Sequence, residues 1–187
     1  MEAISGGEPL KMRPRRWHSL TPLIEKLEFT NGVMVEVGSY TGESTVMFAQ
    51  CGKFKEIHAI DPWSNEHRAL DLAACDMKIV EKHFDKRVAP YSMIIKHKTT
   101  SRAASNKFHE VCLDLVYIDA IHTYEELKAD ILYWLSKIKK GGYIAGHDYN
   151  SRSYPGVVQA VKESFQEGKI YPGSVYVFKD TSWLVRL

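Results

Sequence analysis

The chain has 187 residues, 44% hydrophobic and 26% charged, which suffices for one domain with a sizeable core and excludes a disordered or low-complexity protein. A net charge of +2 argues against a nucleic-acid binder, which needs a clustered, strongly basic face. Three widely spaced cysteines, Cys51, Cys75 and Cys112, exclude a CxxC zinc site, argue against a disulfide framework and fit a reducing, cytoplasmic compartment.

In chain order, the opening MEAISGGEPLK has neither a basic n-region nor an apolar h-region, and no stretch approaches the roughly 18 apolar residues of a membrane span. A soluble, unexported protein is expected. Arg13, Arg15 and Arg16 read as a solvated arm, or as part of an anionic-substrate mouth. SLTPLIEKLEF follows as a short amphipathic helix, with Leu20, Leu23, Ile24 and Leu27 at helical spacing and Pro22 tolerable in the first turn. VMVEV (33–37) is the first strand, and STVMFAQC (44–51) is the helix after a glycine turn. EIHAID (56–61) is the second strand, 64–88 is mostly helical, YSMIIK (91–96) is the third strand and DLVYID (114–119) the fourth.

The next helix has the clearest signature. Thr123 and Glu126 form a T-x-x-E capping box, and Tyr124, Leu127, Ile131, Leu135 and Ile138 make one apolar stripe. Lys137, Lys139 and Lys140 are expected to complement its C-terminal dipole, and Gly141-Gly142 to end it. YIAGHD (143–148) is the fifth strand, a helix covers about 156–167, and SVYVFK (174–179) and SWLVRL (182–187) close the chain as a hairpin turning at Asp180-Thr181. Strands alternating with helices and ending in a hairpin predict an α/β, doubly wound, mostly parallel sheet with an antiparallel edge. Ligands of such sheets bind beyond the strands' carboxyl ends, so function should collect at 38–44, 61–63, 97–101, 119–122 and 147–150.

The polar residues at those places have no core purpose. Gly38 and Gly42 let the backbone approach a ligand, and Ser44 can donate from the start of the following helix. The spacing is G-x-x-x-G, with Tyr40 inside it, and not the dinucleotide G-x-G-x-x-G. Glu36, just before the turn, repels phosphate and welcomes a cation or an amine. Asp61, at the tip of the second strand, can accept both hydroxyls of a ribose, with charge-assisted bonds worth roughly 1.5–3 kcal/mol each.

This E-x-G-x-Y-x-G-x-S run resembles the first motif of class I S-adenosylmethionine-dependent methyltransferases, in the form of the catechol-type and the sugar and macrolide O-methyltransferases. The resemblance covers nearly the whole of residues 1–187 as a single domain, with 1–30 as an N-terminal arm and helix. It implies a Rossmann-like seven-stranded sheet in the order 3-2-1-4-5-7-6. It also implies S-adenosyl-L-methionine held by Glu36, Gly38, Ser39, Tyr40, Gly42 and Ser44 around the methionine part, Asp61 on the ribose, Trp63 against the adenine and Thr99, Thr100 and Ser101 at its edge.

A second constellation bears on the chemistry. Asp119 ends the fourth strand with His122 three residues on, and His147 and Asp148 end the neighbouring fifth strand, so the carboxylates of Asp119 and Asp148 should converge. Converging carboxylates with waters suit Mg²⁺ or another divalent cation that lowers the pKa of a substrate hydroxyl. In the catechol-type enzymes an aspartate and an Asp-Asn pair bind the metal and a lysine is the base. His122 stands in that lysine's place, where a neutral imidazole would serve as general base beside Asp119. The Asp-Asn pair is altered, with Tyr149 following Asp148, so the metal ligands expected are Asp119 and Asp148 with His147 or Asn150. The bland alternatives are a capping aspartate at 119, a capping-region histidine at 122 and a buried hydrogen-bonded histidine at 147; Trp17, Trp134 and Trp183 read as core or interface aromatics, and His58, His83, His97 and His109 as structural or exposed.

The resemblance implies O-methylation of a hydroxylated small molecule such as a sugar, polyketide or phenol, the acceptor lying under 64–88 and the loop Tyr149–Pro155, near His67, Arg68 and Arg152. Neither nucleic acid nor membrane is expected as a partner, and a homodimer is compatible with the chain. Two other readings stay open: a nicotinamide-dependent Rossmann oxidoreductase, which Glu36, the glycine spacing and the absence of a Tyr-x-x-x-Lys pair disfavour, and a non-catalytic S-adenosylmethionine-binding module.

Overall fold

The computed structural model describes residues 20–66, 75–167 and 170–187. The arginine run 13–16, Trp17, His67 and Arg68 lie outside the described residues. Seven strands form one sheet in the order β3-β2-β1-β4-β5-β7-β6: β1 Gly32–Val37, β2 Phe54–Asp61, β3 Ile94–Lys98, β4 Leu113–Ile118, β5 Ile138–Gly146, β6 Tyr176–Val177 and β7 Trp183–Arg186. The first five strands pair in parallel, and β7 joins β5 and β6 antiparallel. The helices are α1 Thr21–Glu25, α2 Glu43–Gln50, α3 Met77–Val88, α4 Ser101–Ser105, α5 Tyr124–Leu135 and α6 Pro155–Val161, the last running into a π-helical turn, Lys162–Gln166.

Strand alternation divides the core between the two faces of the sheet. On one face Val35, Val37, Val116 and Ile118 meet Leu127, Ile131 and Trp134 of α5 and Val157 and Val161 of α6. On the other, Met34, Ile57, Leu115 and Tyr117 meet Leu23 and Ile24 of α1 and Phe48 of α2. Burying the parallel strands on both sides accounts for their near-continuous apolar runs.

Several boundaries differ from the sequence expectation. The helix beginning at Tyr124 ends at Leu135 with Ser136 as its C-cap, so Lys137, Lys139 and Lys140 do not serve its dipole and Gly141-Gly142 do not terminate it. Ile138 instead opens β5 opposite Leu113 and is buried in the sheet core. Gly141, in the left-handed region at φ +80°, lies where the register between Leu113 and Leu115 shifts, and Lys139 pairs with Asp114 at 2.9 Å. An isoleucine three residues beyond Leu135 suits a helical stripe and a strand equally, and the ladder decides. β3 starts three residues later than predicted, because Tyr91 and Ile94 form a turn with Val88 and Tyr91. Only Tyr176–Val177 of the predicted 174–179 pairs as a strand. Within the predicted 64–88 segment, the described helix starts at Met77, capped by Asp76, whose side chain accepts from the Lys78 N–H at 3.0 Å.

Candidate functional site

One cavity opens at the carboxyl ends of β1, β2 and β4. Gly38 and Tyr40 line it after β1, Asp61 and Pro62 after β2, and Asp119, Ala120 and Ile121 after β4. Met77, Thr100 and Ser101 close one side, while Glu126 and Asp130 face in from α5.

The turn after β1 is built from backbone constraints. Gly38 is at φ +89°, and a Cβ there would stand 2.2 Å from the Asp119 carbonyl oxygen, so a glycine is required by the approach of β4 as well as by any ligand. Gly42 caps α2 at φ +78°, with its hydrogen-side space taken by Phe84 at 2.9 Å. Tyr40, between them, also has positive φ, +46°. Its N–H donates to Asp61 Oδ2 at 3.0 Å, and the Trp63 N–H donates to Asp61 Oδ1 at 2.7 Å. Asp61 thus pins both loops, its pKa raised by burial against those two hydrogen bonds, and each of its oxygens keeps a lone pair for a ligand hydroxyl.

Several expected contacts move. Trp63 is only 2% exposed; it packs on Phe84 with ring centroids 4.7 Å apart and donates its indole N–H to the Tyr40 carbonyl at 2.8 Å. It supports the cavity from behind, and Pro62 lines the wall assigned to it from sequence. Glu36 also lies outside the lining. Strand alternation turns it to the α1/α2 face, away from Val37 and the cavity, where it is fully buried and accepts from the hydroxyls of Ser44, at 2.5 Å, and Thr45. Burial pushes its pKa up to about 7 while the Ser44 and Thr45 bonds pull it down. Ser44 is therefore spent on Glu36, and Gly42 and the buried Ser39 belong to the turn and not to the cavity lining. Thr100 both lines the cavity and caps α4, its side chain accepting from the Ala103 N–H at 3.4 Å.

Asp130 has no place in the sequence reading and a prominent one in the structure. It is 7% exposed, lies in the cavity wall and belongs to the buried stripe Leu127, Asp130, Ile131, Trp134 of α5. An acid within an otherwise apolar helical stripe was the available signal.

The second constellation forms as a cluster. One ligating atom from each of Asp119, His122 and Asp148 lies within 4.8 Å of the others. His122 Nε2 stands 2.9 Å from Asp148 Oδ2, as an ion pair, and 3.6 Å from Asp119 Oδ1. Burial works against an imidazolium here, but the two carboxylates outweigh it and hold the His122 pKa at about 10. The Asp148 carboxyl is held far below its usual range, burial again being outweighed by His122 and His147. His147 takes a different place from the one expected: its Nδ1 sits 3.2 Å from Asp148 Oδ1, behind that carboxylate, and it is outside the three-residue cluster. Asn150 is occupied in the loop, its side-chain oxygen accepting from the Arg152 and Ser153 N–H groups. The Tyr154 ring covers His122 at 4.5 Å between centroids.

Two carboxylates and the imidazole Nε2, with ligating atoms within 4.8 Å of one another, form a donor set that fits a divalent cation once His122 gives up its proton. His122 supplies the nitrogen in place of His147. Asp119 belongs to this cluster and to the cavity.

A doubly wound sheet of this order, with its cleft at the strand reversal and an acid ending β2, defines a Rossmann-like α/β protein, a fold that binds its ligands at that reversal. The chain belongs to the methyltransferase-domain family, whose model matches residues 35–149, from β1 through the end of the acid cluster. The mimivirus protein R132 of Acanthamoeba polyphaga mimivirus is 25% identical over 170 residues, 83% of this chain and 71% of that one. A second relative, y4gI of Sinorhizobium fredii, is 24% identical over 125 residues; the match covers 65% of this chain and 13% of that much longer protein. Among solved structures, a precorrin-6y C5,15-methyltransferase from Geobacter metallireducens superimposes with a TM-score of 0.64 at 11% identity, covering 97% of this chain and 93% of its own. A putative caffeoyl-CoA O-methyltransferase from Staphylococcus aureus does so with 0.60 at 15% identity, covering 95% and 84%. These structures share the fold.

Proposed function

We propose that the chain is an S-adenosylmethionine-dependent methyltransferase that methylates a hydroxyl of a small molecule, with a divalent cation held by Asp119, His122 and Asp148. The observation that carries the reading is the double membership of Asp119, which lines the cavity and belongs to the Asp119–His122–Asp148 cluster. An acceptor oxygen on the cluster side would then stand beside a methyl group on the cavity side.

The work asked of the protein is mostly positional. In-line displacement on a sulfonium needs the acceptor oxygen about 3 Å from the methyl carbon, and proximity of that kind supplies roughly 7–11 kcal/mol. Gly38 and Tyr40 hold the amino-acid end of the cofactor and Asp61 accepts from the ribose hydroxyls. A cation bound at the cluster would lower the pKa of the acceptor hydroxyl. The imidazole of His122, wedged between two acids with its Nε2 2.9 Å from Asp148 Oδ2, is held as an imidazolium and so is a poor general base as it stands; on losing that proton to a cation it would become a ligand. Tyr154 packs its ring on His122 at this corner.

Calorimetric titration of the protein with Mn²⁺ and with S-adenosylhomocysteine tests the assignment. His122→Ala is expected to lower Mn²⁺ affinity at least about tenfold while leaving S-adenosylhomocysteine affinity within about threefold. Unchanged Mn²⁺ binding would remove His122 from the ligand set, and full turnover in excess EDTA would remove the ion from the chemistry. Firm thioether binding with no methyl transfer to any hydroxylated acceptor would leave a binding module.

A further inference from the structure

Resting on the cofactor reading above, we infer that Asp130 is the residue that selects the base of the nucleoside, its carboxylate accepting from the exocyclic amine of adenine. The cavity has two kinds of wall. Near Asp61, Pro62, Met77 and Ile121 make an apolar slot suited to a flat ring, while the amino-acid end is committed to the turn of Gly38 and Tyr40. The far wall, formed by α5, is acidic: Glu126 and Asp130, four residues apart, project from the same helical face. Glu126 is exposed, whereas Asp130 is more than nine-tenths buried.

Ser101 stands beside Asp130: Trp134, one turn further along α5, donates its indole N–H to Ser101 Oγ at 2.9 Å, and Ser101 draws the Asp130 pKa down against burial. Ser101 lines the cavity as well. A carboxylate offers roughly four acceptor sites. Among the described residues no lysine, arginine or histidine forms an ion pair with Asp130. A buried acid without a cation is costly unless donors meet it, and its pKa stands raised at about 6, by burial first and by the Glu126 charge. A base edge presenting an N–H₂ group would give this carboxylate a donor. A base presenting a carbonyl oxygen at the same place would face acceptor with acceptor.

Comparison of S-adenosylhomocysteine with S-inosylhomocysteine tests that base edge, since the second carries a carbonyl oxygen where the first carries the amine, and a proton on the neighbouring N1. Calorimetric titration of the intact chain at pH 7.5 should show the adenosyl compound binding about ten- to a hundredfold more tightly, as loss of a charge-assisted hydrogen bond requires. In Asp130→Asn the amide can turn its N–H₂ toward the carbonyl, so the preference should shrink at least about tenfold or reverse. Equal affinity of the wild-type chain for the two thioethers overturns the assignment without recourse to the variant, as does an unchanged ratio in Asp130→Asn. Binding of neither compound by the wild-type chain would overturn the cofactor reading itself, and this inference with it.

Discussion

Glu36 shows how a single residue can be right in kind and different in use. Its place just before the glycine turn suggested a partner for a cationic ligand, but which face of β1 it occupies depends on a strand phase that a five-residue apolar run does not reveal. Trp63 was hidden for a related reason: its backbone lies at φ +42°, a conformation that reverses the side chain and that nothing in its residue type announces. Buried against Ser44 and Thr45, with its pKa raised from 4.5 to about 7, Glu36 makes stability depend on pH. The folded chain keeps this proton more tightly than the unfolded chain, so the stabilisation is complete below about pH 4.5 and is lost as pH rises through 7. At about 1.4 kcal/mol per unit the loss amounts to about 3 kcal/mol, with no further change from this group above that window. Urea unfolding at pH 5 and pH 8 should show that fall in the wild-type chain and a smaller one in Glu36→Gln; equal falls would refute it.

At the level of elements, the parallel strands and their helices were legible because each is an apolar run or stripe bounded by turn residues. Boundaries were not legible where two periods coincide, as at Ile138, or where pairing stops for lack of a neighbour, as along the edge strand β3, whose Ile95 is 41% exposed. The meeting of β1 with β4 was half visible. Gly38 announced a tight turn, but its closest neighbour is the Asp119 carbonyl and this follows only from the parallel pairing of the two strands. Gly38→Ala is therefore expected to cost about 2–4 kcal/mol, from a left-handed backbone combined with overpacking against a main-chain oxygen that cannot turn aside. Thermal unfolding checks the loss. A stability within about 0.5 kcal/mol of wild type would mean that the two strand ends separate freely.

Across the whole molecule, the chain lays β1, β2 and β3 to one side and then returns to place β4 and β5 on the other, so the sheet reverses between β1 and β4. Asp119 sits at that reversal, its N–H donating to the Val37 carbonyl at 2.9 Å. Asp148, one strand further out, belongs to the cluster and not to the cavity lining. If one carboxylate serves both halves, the proposed cation and cofactor cannot bind independently. Saturating Mn²⁺ should change the affinity for S-adenosylhomocysteine by the same factor as saturating thioether changes the affinity for Mn²⁺, because coupling between two sites is reciprocal. Asp148→Asn should weaken Mn²⁺ at least about tenfold and spare the thioether, whereas Asp119→Asn should weaken both and bring the coupling factor close to one. Titrations of each ligand with and without the other, on the wild-type chain and both variants, read these quantities directly. A coupling factor that survives in Asp119→Asn would place the link between the two halves of the sheet elsewhere than at the carboxylate ending β4.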